Sequence, residues 1–314
     1  MKLSVIIVSY RVRDQLKSCL HSIYENGFPD TIEVIVIDNA SGDRTVETLS
    51  GLFPVVLWIE NDENIGFAPA VNQAADRASG ELLLLLNPDT SLVPGALANL
   101  VQFMEDRPKI GAVGPCMMLL NGKSYVSVMP FLSCMSVFFY ETRLNRIFPF
   151  CRFIRPYTRL LKENKPFMVD SVEGSLMLLR RKAWEAVGGF DSHYFFGLEE
   201  MDLAWQLRCI GLEIWFHPFP AAFHQHSGSI GGKRRGVIRL SVTLAPLYFL
   251  RKNRRKSYEF LTLPLLVIYS VKWASSYLLG WIDNAMTFKE AVKALLGLRP
   301  LWVTQNDRSR WSDN

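Results

Sequence analysis

Four groups of residues have types and spacing suited to chemistry. The first is Asn87-Pro88-Asp89-Thr90, directly after five consecutive leucines, Leu82–Leu86. A carboxylate leaving a buried strand stands at the ligand edge of a sheet, where it can hold a hard divalent cation through oxygen. Such a cation would neutralise a diphosphate. An Asn-Pro turn formed for backbone reasons alone explains the same residues. The second group, Asp38-Asn39-Ala40-Ser41-Gly42-Asp43, also follows an apolar run. An aspartate there can accept from the ring N–H of a uracil-like base. An Asx turn, with Ser41 or Asp43 capping the next helix, is the plainer reading, and both can hold at once.

The third group is Glu199-Glu200-Met201-Asp202, preceded by Gly188-Gly189-Phe190-Asp191 and Phe196-Gly197-Leu198. Acids at the start of an expected helix over 199–210 are favoured by the helix dipole. They are equally the makings of a general base, and crowded carboxylates raise one another's pKa. The fourth is His217 with His224-Gln225-His226. Histidines two apart point the same way on a strand, but a catalytic zinc site needs a third ligand and none is evident. One histidine helping a carboxylate hold Mn2+ is more economical.

The elements that must position these groups are legible in the first half. Apolar runs at 3–8, 32–37, 55–59 and 81–86 alternate with helical stretches near 14–24, 44–52 and 68–78. Strands that are apolar throughout predict an α/β fold with a mostly parallel sheet covered on both faces. In such sheets ligands bind at the carboxyl ends of the strands, which directs attention to Ser9-Tyr10-Arg11, Asp38–Ser41 and Asn87–Asp89.

Composition bounds the rest. The 314 residues are 49% hydrophobic and 21% charged, values of a folded globular chain. A net charge of +5 is too small for a dedicated nucleic-acid binder, so no nucleic-acid partner is expected. The five cysteines are odd in number and scattered, with no C-x-x-C pair, which points to a reduced, cytosolic compartment. The first apolar run is too short for a signal peptide and reads as a strand. There is no G-x-x-x-x-G-K-[ST], no G-x-G-x-x-G after the first strand and no G-x-S-x-G, which argues against P-loop, dinucleotide-binding and α/β-hydrolase chemistry.

Two regions depart from the sheet pattern. Residues 123–168 are rich in aromatics and arginine without a clean period, and read either as a packed helical insertion or as a surface for an acceptor or membrane. In the tail, Arg251-Lys252-Asn253-Arg254-Arg255-Lys256 precedes 23 residues, 260–282, whose one charge is Lys272. That length would span a bilayer. The central lysine, Pro264 and basic residues on both flanks favour helices lying on the membrane surface over a span, and buried core helices are the third reading.

With these groups in this order, the chain resembles family 2 glycosyltransferases of the GT-A fold, nearest the rhamnosyltransferase-like branch that builds bacterial cell-surface polysaccharides. The likeness covers about residues 3–250. It rests on Val8-Ser9-Tyr10-Arg11, Asp38-Asn39-Ala40-Ser41, Asn64-Ile65-Gly66-Phe67-Ala68 with Asn72, Asn87-Pro88-Asp89-Thr90, Gly189-Phe190-Asp191, the acidic cluster 199–202, and His224 with Ser229. The resemblance implies a donor site of Ser9, Tyr10 (stacking on the base), Arg11, Asp38 (base edge), Ser41 (near the ribose), Asn64 and Asn87. It implies Mg2+ or Mn2+ on Asp89 and His224. It places the base at Glu200, with Glu199 and Asp202 as the other candidates, because a glutamate stands at 200 where the family usually has aspartate. Asn87 likewise replaces the first acid of the family's D-x-D motif, leaving fewer charges on the metal.

The resemblance further implies an inverting transfer from a nucleotide-sugar donor, dTDP-rhamnose before UDP- or GDP-sugars; the basic, apolar tail and the aromatic insertion point to a glycan or polyprenyl-linked acceptor at the inner leaflet. The enzyme would sit in the cytoplasm on the inner face of the membrane. Two domains are expected, 1–250 carrying the transferase fold with the 123–168 insertion, and 251–314 as a helical extension. A nucleotidyltransferase and a catalytically silent membrane-associated scaffold remain as alternatives. The first of these normally needs a glycine-rich loop that Ser9-Tyr10-Arg11-Val12-Arg13 lacks.

Overall fold

The computed structural model describes residues 2–25, 32–147, 164–224 and 235–311. The first half alternates as expected: β1 (Leu3–Ser9), α1 (Arg13–Glu25), β2 (Ile32–Asp38), α2 (Thr45–Leu49), β3 (Leu57–Glu60), α3 (Phe67–Ala75) and β4 (Leu82–Leu86). β3 starts two residues later than the apolar run because Pro54 and Val55 stand in a turn, where Val56 donates to the Phe53 carbonyl at 3.1 Å. Next come β5 (Thr90–Leu92), α4 (Ala96–Glu105), β6 (Ile110–Leu119), β7 (Ser124–Val126), β8 (Val128–Met129) and α5 (Cys134–Glu141). They are followed by β9 (Phe167–Met168), β10 (Ser171–Val172), β11 (Leu176–Arg180), α6 (Arg181–Val187), α7 (Glu199–Cys209) and β12 (Glu213–His224). The chain closes with α8 (Arg235–Asn253), α9 (Arg255–Leu278), α10 (Ile282–Leu295) and α11 (Gln305–Trp311).

Among the described residues the main sheet runs β3-β2-β1-β4-β11-β6-β12-β5, with β7 on β6 and β9 on β12. β3, β2, β1, β4, β6 and β12 point one way, and β11 is the antiparallel strand in the middle. The fold is therefore α/β with a central, mostly parallel sheet. The period-2 alternation of the strands sends Val5, Ile7, Leu84 and Leu86 to one face, against α1 and α4. It sends Ile6, Ile37, Leu83 and Leu85 to the other, against α3, α6 and α7. The carboxyl ends of β1, β2, β4 and β12 meet at one edge, where Ser9 registers with Asp38 and His224 registers with Thr90.

The C-terminal helices form a third core. Leu244, Leu247, Phe249, Leu265, Tyr269 and Ala291 pack together with Val137 of α5, Phe195 and Met201 of α7. The boundary expected at 250/251 thus falls inside α8, and the described part of the 123–168 insertion joins the same core through Val137 and Phe131. Phe148, Phe150, Phe153, Tyr157, Arg152, Arg155 and Arg159 lie outside the described residues, as do His226 and Ser229. α9 is long and apolar enough by composition to cross a membrane. One face of it is nevertheless packed in the third core, where Lys272 is ion-paired with Glu141. The expected basic cluster is partly turned inward: Lys252 pairs with Asp191 and Asp202, and the Arg254 guanidinium lies 4.8 Å from the Trp205 ring centroid.

Candidate active site

The carboxyl edge opens into a cleft of about 370 Å3 lined by Tyr10, Asn64, Asn87, Asp89, Glu199, Glu200 and His224 among others. Seven of the twelve residues singled out in the sequence thus line a single cleft. β5 explains the pairing of the two ends: after the Asn87–Asp89 turn it runs antiparallel to β12, with Thr90 opposite His224. His224 Nε2 lies 3.1 Å from Asp89 Oδ1, and both residues are 7% exposed. The Asn87 N–H donates to the Ser175 carbonyl at 2.9 Å, so the turn is also tied to the strand that follows it in space, β11.

Glu199 and Glu200 reach the cleft because of a sharp entry into α7. Gly197 (φ 89°) and Leu198 (φ 71°) are both left-handed, and a leucine held there is strained. Packing of the Leu198 side chain between two cores offsets that strain. Glu199 is 4% exposed, and one oxygen of each glutamate is buried without a hydrogen-bond partner among the described residues. Burial pushes Glu200 up to about 7, with the nearby Glu173 carboxylate adding to the effect, while the Gly174 N–H pulls the other way. Burial and then the Glu200 charge hold Glu199 well above the ordinary carboxylate range. A carboxyl near 7 that faces a cleft has the proton affinity of a general base at neutral pH.

The other five candidates stand elsewhere. Asp202 is 2% exposed and turned away from the cleft, accepting from Lys252 Nζ at 2.7 Å and Asn253 Nδ2 at 2.6 Å. Spacing alone grouped it with Glu199 and Glu200, since i and i+3 share a helix face; what separates it is the pair of donors that α8 brings to its carboxylate. Ser9 is fully buried under the cleft floor, its Oγ without a partner among the described residues. Asp38 and Ser41 are buried and bonded to each other, with the Ser41 N–H donating to Asp38 Oδ2 at 3.0 Å, three residues on where an Asx turn would reach two. Asp43 in turn accepts from the Thr45 N–H at 3.1 Å at the start of α2. Arg11 buttresses this loop: its N–H donates to Ser41 Oγ at 2.8 Å and its Nε to the Ser41 carbonyl at 3.1 Å. Its guanidinium lies 5.2 Å from the Tyr10 ring centroid, within cation–π range. His217 is remote from the cleft, packed at 4.7 Å on the Phe103 ring.

Sequence reasoning named Asn39 without giving it a role, and missed Glu173. Asn39 Oδ1 accepts from the Ile65 N–H and Asn61 Nδ2, both at 3.1 Å, and its Nδ2 donates to Asn64 Oδ1 at 2.9 Å. It thereby fixes the loop that carries Asn64 and Gly66. Gly66 (φ 95°) lies so close to Phe195 that a Cβ would meet the Phe195 carbonyl oxygen at 2.8 Å. Glu173 lines the cleft beside Glu200. The rule that singled out Asp89 looks at the carboxyl ends of strands; Glu173 precedes the apolar run Leu176–Leu179, and only the antiparallel course of β11 brings that amino end to the cleft.

Asp89 and His224 fit a hard divalent cation. A carboxylate oxygen and an imidazole nitrogen stand together at a buried edge, and Mg2+ or Mn2+ commonly completes a two-residue platform with substrate phosphates and water. Among the described residues no group of three or more His, Cys, Asp or Glu is arranged to hold a metal unaided.

Fold and cleft together are those of an α/β domain of the GT-A type. The chain belongs to glycosyl transferase family 2, whose sequence profile matches residues 4–187, and it is accordingly a glycosyltransferase. It is 26% identical over 240 residues to the N-acetylglucosaminyl-diphospho-decaprenol L-rhamnosyltransferase of Mycobacterium tuberculosis, covering 73% of this chain and 78% of that one. In structure it is similar to the mannosyltransferase PcManGT from Pyrobaculum calidifontis, solved with GDP-Man and Mn2+. That match has a TM-score of 0.56 at 21% identity, covering 99% of this chain and 83% of the other. It is also similar to GalNAc-T7, solved with UDP, GalNAc and Mn2+, with a TM-score of 0.55 at 16% identity, covering 73% of this chain and 44% of that one.

Proposed function

We propose that this chain is an inverting, metal-dependent glycosyltransferase of cell-surface polysaccharide synthesis, working on the cytoplasmic face of the membrane. It would move a sugar, rhamnose first, from a nucleoside diphosphate to a glycan or polyprenyl-linked acceptor. The observation that carries this reading is the single cleft in which Asp89 and His224 meet Glu199 and Glu200. The rhamnose and lipid-linked acceptor rest on similarity to the mycobacterial enzyme.

In this reading Tyr10 stacks on the base, steadied by Arg11. Asp38 accepts from the base edge with a lone pair left over from its bonds to Ser41, since each carboxylate oxygen can accept twice. Ser9 and Ser41 support the loops at base and ribose, and Asn64 and Asn87 donate within the donor pocket. Asp89 and His224 would hold Mg2+ or Mn2+, which when bound neutralises charge on the leaving diphosphate. Glu200 takes the proton of the acceptor hydroxyl as its oxygen attacks the anomeric carbon and the bond to the diphosphate breaks. Direct displacement inverts that carbon. Glu199 stands beside it, its carboxyl held well above the ordinary carboxylate range by burial and then by the Glu200 charge.

Titration calorimetry of dTDP, UDP and GDP, each with Mn2+ and with EDTA, tests the reading. One nucleotide is expected to bind at least tenfold more tightly with Mn2+, which also chooses the donor class. Binding of none of the three under either condition overturns the donor site.

A further inference from the structure

The anomaly of the molecule is the outer face of α9. Phe260, Leu263, Val267, Val271 and Leu278 are 58–83% exposed, and Ala274 is exposed between the last two. These six residues recur at steps of 3, 4, 4, 3 and 4, a mean of 3.6 and the repeat of the helix itself. They form a straight apolar stripe about 27 Å long, parallel to the helix axis. The opposite face carries Leu261, Leu265 and Tyr269 into the third core, so the stripe is not needed to bury this helix. An exposed apolar surface of this extent marks an interaction site.

We infer that this stripe is the surface by which the protein lies on an anionic lipid bilayer, with α9 in the plane of the interface. Three observations select lipid. The mean spacing of 3.6 keeps the stripe flat, whereas a coiled-coil partner asks for 3.5 and a seam that winds around the helix. The charge is complementary to anionic headgroups. Arg251, Arg255 and Lys256 are exposed at the amino end, Lys289 is exposed beside the carboxyl half, and the helix's one acid, Glu259, is paired with Arg255. The stripe also ends in exposed Tyr277, Leu279, Trp281 and Ile282, the residue types of a membrane interface.

An apolar pocket of about 360 Å3 opens next to the stripe between α9 and α10, walled by Trp273, Tyr277, Ile282 and Met286 with Lys289 at its side. Its size and lining suit part of a hydrocarbon chain. The surface is also coupled to the cleft in space. Ile238 of α8 lines the cleft, and its neighbour Arg239 is hydrogen-bonded to Asn284 at the start of α10. α8 thus borders the cleft and is bonded to the helix that walls the pocket. The inference deepens the inner-face placement proposed above and rests on that reading only for the side of the membrane.

The test is flotation of the full-length protein with phosphatidylglycerol–phosphatidylcholine vesicles and with phosphatidylcholine alone. It is run beside the triple variant Leu263→Gln, Val267→Gln, Val271→Gln and the charge variant Arg251→Glu, Lys256→Glu. The wild type is expected to float with the anionic vesicles and several-fold less with the neutral ones. The triple variant is expected to lose at least tenfold in bound fraction with an unchanged melting temperature, and the charge variant to lose the preference for anionic lipid. A wild type that stays at the bottom of the gradient overturns the inference. So does a triple variant that floats like the wild type, or a wild-type dimer that the triple variant breaks while neither floats. Nucleotide calorimetry on the same preparations separates this failure from failure of the donor site.

Discussion

At the scale of single residues, whether a side chain is charged depends on what it is buried against. Burial, with the Glu173 carboxylate adding to it, holds the Glu200 proton up to about 7. As the base, it must be ionised, and turnover is expected to rise with pH through about 7 and then level off. Glu200→Gln keeps the shape but cannot take the proton. It is expected to lower turnover by on the order of 10²–10⁴ while nucleotide affinity changes less than about twofold, read by single-turnover kinetics and calorimetry. The same variant reports on stability. A carboxyl raised in the folded state stabilises most below its ordinary pKa of 4.5, and that contribution disappears as pH rises through about 7. Wild type should therefore lose melting temperature relative to Glu200→Gln between pH 5 and pH 8. Near-normal turnover in the variant removes Glu200 from the role. The residue types of this site were legible in the sequence, but their division was not. Asp202 is claimed by Lys252 and Asn253, about fifty residues further on, and no local spacing could have separated it from Glu199 and Glu200.

At the scale of elements, the wall that carries the glutamates is fastened from behind by α8. Ser241 Oγ donates to the Phe196 carbonyl at 2.8 Å and accepts from the Phe196 N–H at 3.1 Å. Lys252 Nζ donates to Asp191 at 2.6 Å and to Asp202 at 2.7 Å, clamping both ends of the 191–202 segment. Although burial pushes Asp191 up, the bonds from Lys252, His193 and Tyr248 hold it at about 2. Lys252→Met leaves two acids without their cation and is expected to destabilise the fold by about 2 kcal/mol. It should also lower kcat several-fold with donor KM unchanged, and Lys252→Arg should recover most of the loss. A variant in which KM alone rises would place Lys252 in the donor site instead of behind the catalytic wall. Strands β1, β2 and β4 were readable because a strand buried on both faces is apolar throughout. The clamp was not readable, because a lysine in a basic run looks solvated until its partners are brought to it.

At the scale of the whole molecule, the helical tail is part of the fold's interior. A chain ending at residue 250 would bare Leu247, Phe249 and Phe195, which the structure buries in the third core with Leu265, Tyr269 and Ala291. Such a truncation is expected to melt broadly and at least 10 °C lower in near-UV circular dichroism; an unchanged sharp transition would make the tail an appendage. The family resemblance, which fades near residue 250, made the tail look separable. The central strand has a further consequence, in time. β4 lies between β1 and β11, and β11 is encoded about ninety residues after β4 ends. At about 5–20 residues per second, the nascent chain carries the bare edge of five leucines for roughly 5–20 s before its partner leaves the ribosome. During that window the edge is an aggregation template. Yield in cells is thus governed by translation speed and by chaperones that shield this edge.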